Sequence, residues 1–456
     1  MVYSVLVLLS LSPFFSDSFS PEELKTAAQL RDQAAAGNGA WDLVESLTTE
    51  VGPRLAGSPG DKAAVKWAQA KFNELGFDKV WTEEVAFPYW IRGTEEASVI
   101  SPFPQGLTIC ALGGSVGTPE AGIEAPIVEV PNYAALAQMD RAKVEGRIVY
   151  ISNRMERHRT GKGYGQAVIA RGKGPSAAAE LGAVALLIRS IGTDTHRFPH
   201  TGGTNYTKDI ARIPAAALSN PDADLLSNMV RRGKEIRVRL KLTCRNAGMT
   251  TSHNVIGEYT GRENPEQVIL LGAHLDSWDL GTGAIDDGAG CAIVTEAARL
   301  ISLLPERPRR TLRVVLYANE EGGLFGGRAY AAAHRNDLNN HMIAGESDLG
   351  ADRIWKFSTN VAEPALPLMK SMAELMAPLG IEMGNNKAGG GPDIGPMHRL
   401  GMPVITFSQD ATRYFDLHHT ADDTLDKIDP EALAQNVAAY VVFAYLSAEA
   451  KIKFSH

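Results

Sequence analysis

Two adjacent glutamates, Glu320 and Glu321, stand directly before Gly322-Gly323 and just after an apolar run that ends in Leu316-Tyr317. Side by side, two carboxylates repel unless a cation takes one and a proton occupies the other. That division of labour suits metal-assisted hydrolysis, in which one glutamate ligates a cation. Its neighbour accepts a proton from the attacking water and passes it to the leaving amine. A solvated acidic pair is the plainer reading of the same two residues.

Four further segments carry residues of the same kind. His274-Leu-Asp276 offers an imidazole with a carboxylate two residues on, able to reach the other ring nitrogen and fix the tautomer; a surface histidine beside a solvated aspartate is the alternative. Gly281-Thr-Gly-Ala-Ile-Asp-Asp-Gly-Ala-Gly290 places Asp286 and Asp287 at the start of a helix, where they either cap it or supply a carboxylate that bridges two cations. Glu346-Ser-Asp348 and Leu417-His-His-Thr-Ala-Asp-Asp-Thr424 add another aspartate and another histidine. Together these complete two nitrogen and oxygen sets with one shared carboxylate, a mixture that suits zinc better than magnesium or calcium. The loop Lys387-Ala-Gly-Gly-Gly-Pro-Asp393-Ile-Gly is either a flexible surface loop or a close approach to substrate, with Asp393 meeting an amine.

The three cysteines, Cys110, Cys244 and Cys291, are too few and too far apart for a disulfide framework or a thiolate zinc knot, so a metal must be held by nitrogen and oxygen. Cys291 reads as a small buried residue, and pairing of Cys110 with Cys244 is left open. The 45 basic and 53 acidic side chains give a net charge of −8, which argues against nucleic acid or an anionic membrane as the main partner and leaves small peptides allowed.

The elements that must position these groups can be read from periodicity. The length of 456 residues implies two or three folded units. Residues 1–20 hold an apolar run, Val2 to Leu11, with Ser-rich flanks and no Lys or Arg. It is too short to span a bilayer and has the character of a signal h-region without a basic start. A secreted or periplasmic location is the expectation, and a misassigned start is the competing account. From Pro21 to Phe77, helical spacing recurs in Ala64, Trp67, Ala68, Phe72 and Leu75. From Gly117 to Leu242 short β-rich runs alternate with one Ala-rich helix around Pro175 to Leu181, the texture of an inserted module. After Val255 the order becomes strand, turn, helix, strand. Gln267 to Gly272 reads as a strand buried on both faces, Ile293, Ala297, Leu300 and Leu304 as one helical stripe, and Leu312 to Tyr317 as the next strand. The polar clusters fall beyond the carboxyl ends of these strands, where ligands bind in open α/β sheets.

The order His274-x-Asp276, Asp286-Asp287, Glu320-Glu321, Asp348 and His419-Thr-x-x-Asp423-Thr resembles the M28 family of di-zinc aminopeptidases and carboxypeptidases over nearly the whole chain. Gly272-Ala-His-Leu-Asp-Ser-Trp-Asp279 and Phe415-Asp-Leu-His-His-Thr are most similar to a carboxypeptidase branch with a protease-associated domain. The resemblance implies an α/β fold with a mixed, mostly parallel sheet flanked by helices. It implies a discontinuous catalytic domain over residues 21–116 and 249–456, interrupted by a β-rich protease-associated domain over 117–248. It further implies two zinc ions per chain, with His274 and Asp348 on one, Glu321 and His419 on the other, and Asp286 bridging. Glu320 would be the general base, Asp276 would orient His274, and Asp393 and His418 would line the substrate pocket. Asp287 would follow Asp286 through a cis peptide. Short peptides are the implied substrates, with a homodimer as the implied assembly and no membrane span in the mature chain. Two rival readings are a receptor-like, peptide-binding relative that has lost its metal ligands, and another amide hydrolase or cyclase on the same scaffold. The intact set of candidate ligands argues against the first.

Overall fold

The computed structural model describes residues 18–455, so the leader expected over residues 1–20 lies almost wholly outside the described residues. The chain there opens with a helix, Pro21–Ala36, capped by Ser20, which trades side-chain and backbone hydrogen bonds with Glu23. A second long helix, Pro59–Glu74, buries Ala64, Val65, Ala68 and Phe72 against the main sheet, as the spacing in the sequence requires.

That sheet has eight strands, in the spatial order Lys79–Ile91, Arg245–Tyr259, Arg310–Tyr317, Asn264–His274, His341–Glu346, Val404–Gln409, Ile354–Asn360 and Glu382–Met383. The four central strands, from Arg310–Tyr317 to Val404–Gln409, run parallel, and the outer pairings are mostly antiparallel. Every residue from Val268 to His274 is buried, because helices cover both faces of a parallel sheet. The helix Ala289–Ser302 is buried almost all round, wedged between the sheet and the C-terminal helix Pro430–Glu449. The expected mixed, mostly parallel α/β architecture is therefore present.

The second layer of the molecule differs from expectation in extent and in composition. Its own eight-stranded sheet includes Glu95–Ser101, Gln105–Leu107 and Ile109–Ala111, so the inserted unit begins some way before residue 117. It ends with the strand Arg237–Leu242, and Arg245 already belongs to the main sheet. The chain enters and leaves it at one place, where Ile91 pairs with Arg245 at the end of a long antiparallel ladder. The strand Glu95–Ser101 is only half-buried, and so carries no hydrophobic alternation strong enough to mark a boundary.

This unit is also more helical than its sequence texture implied. The Ala-rich helix spans Lys162–Glu180 with Pro175 inside it, and a second helix covers Asn220–Val230. Glycine content and the proline speak against a helix on local propensity. Packing decides otherwise: an added Cβ at Gly174 would lie 3.0 Å from Leu186 and 3.2 Å from Ile151, so the glycine lets the helix sit close on the buried strands. All three cysteines are buried and free, and Cys110 does not pair with Cys244. Among the described residues no helix is long and apolar enough to cross a membrane.

Candidate metal centre and active site

Each candidate ligand sits at the carboxyl end of a central strand or on a turn held against one. His274 is the last residue of its strand, Glu320 and Glu321 follow the end of Arg310–Tyr317, and Asp348 lies two residues past His341–Glu346. Asp286 occupies the turn before Ala289–Ser302, joined to Asp287 by a cis peptide. His419 follows the short helix Tyr414–Leu417 with a φ of 63°.

The turn around Asp286 is fixed by two groups. Arg54, fully buried, donates from Nε to Leu275 O at 2.5 Å, from Nη1 to Thr282 O at 2.7 Å and from Nη2 to Gly283 O at 2.8 Å. Asp423 accepts from the backbone N–H of Ile285 at 2.6 Å and of Asp286 at 3.3 Å. Asp287 accepts from the N–H of His274 and of Gly290, both at 3.1 Å. It ties the strand end to the helix start.

The ligand atoms then converge. His274 Nε2 lies 3.1 Å from Asp286 Oδ1 and 3.5 Å from Asp348 Oδ1. His419 Nε2 lies 3.3 Å from Asp286 Oδ2 and 3.0 Å from Glu321 Oε2. The two oxygens of Asp286 therefore point to two different imidazoles, each with its own second carboxylate. His274 directs Nδ1 to the backbone oxygen of Asp276 at 2.9 Å, leaving Nε2 for the cluster.

Asp276 acts differently from expectation. Its carboxylate stands 3.7 Å from His274 Nδ1, while its backbone carbonyl holds that nitrogen. Asp276 Oδ1 instead accepts from the backbone N–H of Glu320 at 2.9 Å. The aspartate thus ties the segment carrying Glu320 to the segment carrying His274. Asp393 is a second departure. It is buried, absent from the lining of the main cavity, and accepts from Gly327 N–H at 3.1 Å. Its own N–H, with that of Ile394, donates to Glu346, so the glycine-rich loop folds inward and presents Pro392 to the cavity in its place. His418 does line the cavity, stacked on His419 with ring centroids 3.4 Å apart.

The electrostatics follow from burying this many carboxylates together. Burial, then the neighbouring charges of Asp348, Glu321 and Asp393, holds the Glu320 carboxyl well above the usual carboxylate range. Burial disfavours charge on His274, but Asp276, Asp286 and Asp348 outweigh it and hold the imidazolium well above the ordinary histidine range. His419, likewise buried, is pushed up to about 9 by Glu321 and Asp286. A cation at the same place would relieve the same repulsion between the carboxylates and would compete with protons for the imidazole nitrogens.

Several groups at the site carried no sequence signal. The inserted unit contributes Tyr164, Arg171 and Thr201, and Thr201 exchanges contacts with His419: N–H to His419 O at 3.0 Å, and carbonyl to Nδ1 at 3.2 Å. Buried polar residues on loops or helices resemble any solvated residue in a single sequence, and so do Arg54 and Arg171. A cavity of about 640 Å³ lies between the two layers, lined by Tyr164 and Arg171 on one side and Trp278, Glu320, Asp348 and His419 on the other.

Of the three histidines in the inserted unit, His158 and His196 lie near the surface and His200 is buried. His200 lies 2.5 Å from Asp194 and 2.8 Å from the backbone oxygen of His418. Among the described residues none of the three joins a cluster able to hold a metal. His200→Ala removes the donor to the buried backbone oxygen of His418 and leaves Asp194 Oδ2 with only Asn220 Nδ2 at 3.2 Å, and is expected to cost about 1–3 kcal/mol in denaturant unfolding. Alanine at all three positions leaves the bound metal per chain unchanged, and loss of one ion would contradict this assignment.

Residues 254–444 match the family model for Peptidase family M28. Carboxypeptidase Q of Xenopus laevis is 35% identical over 425 residues, covering 93% of this chain and 89% of that protein. The crystal structure of a peptidase M28 precursor from Shewanella amazonensis SB2B superposes with a TM-score of 0.94 at 51% identity, covering 96% of this chain and 99% of that one. A zinc aminopeptidase from Bacillus subtilis shares the fold, with a TM-score of 0.66 at 21% identity over 91% of this chain and 96% of its own.

Proposed function

The chain belongs to peptidase family M28, and from that premise we propose that it is a two-zinc exopeptidase of short peptides with Glu320 as general base. The observation that carries the reading is the split of Asp286, one oxygen toward the His274 and Asp348 set and the other toward the His419 and Glu321 set. Asp286 Oδ2 and Glu321 Oε1 are buried with no hydrogen-bond partner. Such oxygens are costly unless a cation meets them, so these residues fit a metal pair. His274 and Asp348 would hold one zinc, Glu321 and His419 the other, and Asp286 would bridge. When bound, the two ions supply Lewis acidity toward the scissile carbonyl and toward water.

The chain's own groups do the rest. Glu320, on the cavity wall beside the cluster, removes a proton from the attacking water and returns it to the leaving amine. Burial and the neighbouring carboxylates raise its affinity for protons, which suits a group that accepts a proton and then gives it back. Asp276 fixes the backbone from which Glu320 projects. Asp287 and Arg54 keep the bridging carboxylate in register with His274. The inserted unit closes one wall of the cavity, which limits access to chains with a free end.

A free dipeptide, its N-acetylated form and its C-amidated form provide the test. Blocking a recognised terminus leaves its buried partners unpaired, and the rate is expected to fall more than about tenfold at that end. Doubly blocked internal peptides cleaved as fast as free dipeptides would end the exopeptidase reading while leaving the metal chemistry in place.

A further inference from the structure

His419 is held in a strained backbone conformation by groups of the inserted unit. Its φ of 63° lies in the left-handed region, which a residue with a side chain rarely adopts unless its surroundings fix it. Two consecutive residues supply the grip. His200 Nδ1 donates to the backbone oxygen of His418 at 2.8 Å, and Thr201 N–H donates to the backbone oxygen of His419 at 3.0 Å. The peptide carbonyls on either side of the His419 Cα are thus both held from the opposite layer. The Thr201 contact is made by backbone, which any residue supplies, so the part of the grip that depends on a side chain is His200.

The imidazole of His200 has a seat of its own. The side chains of His200 and Asp194 are 0% and 1% exposed, and Nε2 lies 2.5 Å from Asp194 Oδ2. Asp194 is fixed in turn by Asn220 Nδ2 at 3.2 Å and by the N–H of His196 at 2.8 Å, while the N–H of His200 donates to Ser190 Oγ at 2.7 Å. Both ring nitrogens face acceptors, so Nδ1 keeps its proton for His418 O and a second proton lies between Nε2 and Asp194. A Cβ at Gly192 would stand 2.2 Å from the His200 ring, so a glycine there leaves the room that the ring occupies. His200 is absent from the lining of the main cavity. It reaches the site through His419 and not through a substrate.

We propose that His200, held by Asp194, is a positioning residue for the metal centre: by fixing the peptide between His418 and His419 it sets the direction of His419 Nε2 toward Asp286 and Glu321. The inference rests on the two-zinc reading above and extends it, because the inserted unit then helps to form the metal site as well as closing one wall of the cavity. Without the His200 donor the His418 carbonyl is free to turn, the backbone at His419 relaxes, and Nε2 swings off the line to Asp286 Oδ2 and Glu321 Oε2. Groups that orient a ligating imidazole are worth about 10–100-fold in metal affinity.

The test reads zinc affinity on the full chain, by competition with a chromogenic chelator, beside urea unfolding of the same samples. His200→Ala still takes up two ions at saturating zinc, but one of the two dissociation constants rises about 10–100-fold while the other stays within about threefold. In a His419→Ala background the same change leaves the constant of the remaining ion unmoved, because the coupling runs through His419. Asparagine and glutamine separate the two sides of the ring. Asn places its amide nitrogen where His Nδ1 stands and keeps the bond to His418 O, whereas Gln places it where Nε2 stands and keeps the bond to Asp194. His200→Asn is therefore expected to hold both zinc constants within about threefold of wild type even where stability falls, and His200→Gln to lose as much affinity as alanine. A histidine with a purely structural role lowers stability in all three variants with both zinc constants unchanged, and that result overturns the proposal. Equal loss of affinity in the Asn and Gln variants also overturns it, since the effect then belongs to packing of the ring. Should His200→Ala fail to fold, the Asn and Gln variants decide alone, and equal constants in the two end the inference. Unchanged constants with two ions bound spare the metallopeptidase reading, whereas wild-type protein that binds no zinc ends both.

Discussion

Chelation is expected to abolish peptide hydrolysis, and zinc to restore it at two ions per chain. This complete loss is expected because Asp286, Glu321 and Asp348 converge with two imidazoles in a pocket where Asp286 Oδ2 and Glu321 Oε1 are buried without a hydrogen bond. The neighbouring carboxylates raise the proton affinity of His274 and His419, so protons compete with a cation for these nitrogens. Zinc must displace those protons, so uptake near neutral pH is accompanied by proton release and weakens as the pH falls. The measurement is metal analysis and activity on one sample through a cycle of removal and return. Metal-free protein that kept its rate would refute the mechanism, and one ion per chain at full activity would refute the bridging role of Asp286.

Glu320→Gln retains both ions and loses about 10²–10⁴ in turnover, the range set by removal of a general base. Glutamine keeps the shape and the backbone bond to Asp276 but cannot take a proton. Glu321→Gln and His419→Ala lose turnover and metal together, since each removes one of the groups that meet at Asp286 and an open set binds zinc weakly. Metal analysis of the three variants beside wild type separates the roles. Equal metal loss in all three would show that the two glutamates do not divide the work.

The sequence was most readable where one physical pattern dominates. Val268 to His274 is apolar without a break because its strand is covered on both faces, and that run locates the sheet and its carboxyl end. Charged residues clustered just past such ends therefore stood out. The exchange of roles around Asp276 was not legible, because spacing places a carboxylate near an imidazole without telling whether the side chain or the backbone carbonyl makes the bond. Asp393 misled for a related reason: a glycine-rich loop can fold inward as readily as outward, and here its backbone N–H groups turn to Glu346. The boundary near residue 95 and the extension of the helix around Pro175 back to Lys162 were set by tertiary packing, which overrides local propensity.

The paired contacts between Thr201 and His419 have a bearing on motion. They stitch the two layers together at His419, so a hinge movement that parted the layers would pull on a proposed zinc ligand before it widened the cavity. The aperture is then a fixed gauge, and what enters is decided by the width of the gap at rest. On the proposed function, a short peptide would enter without the two layers having to swing apart, and large or folded chains would be turned away at the rim.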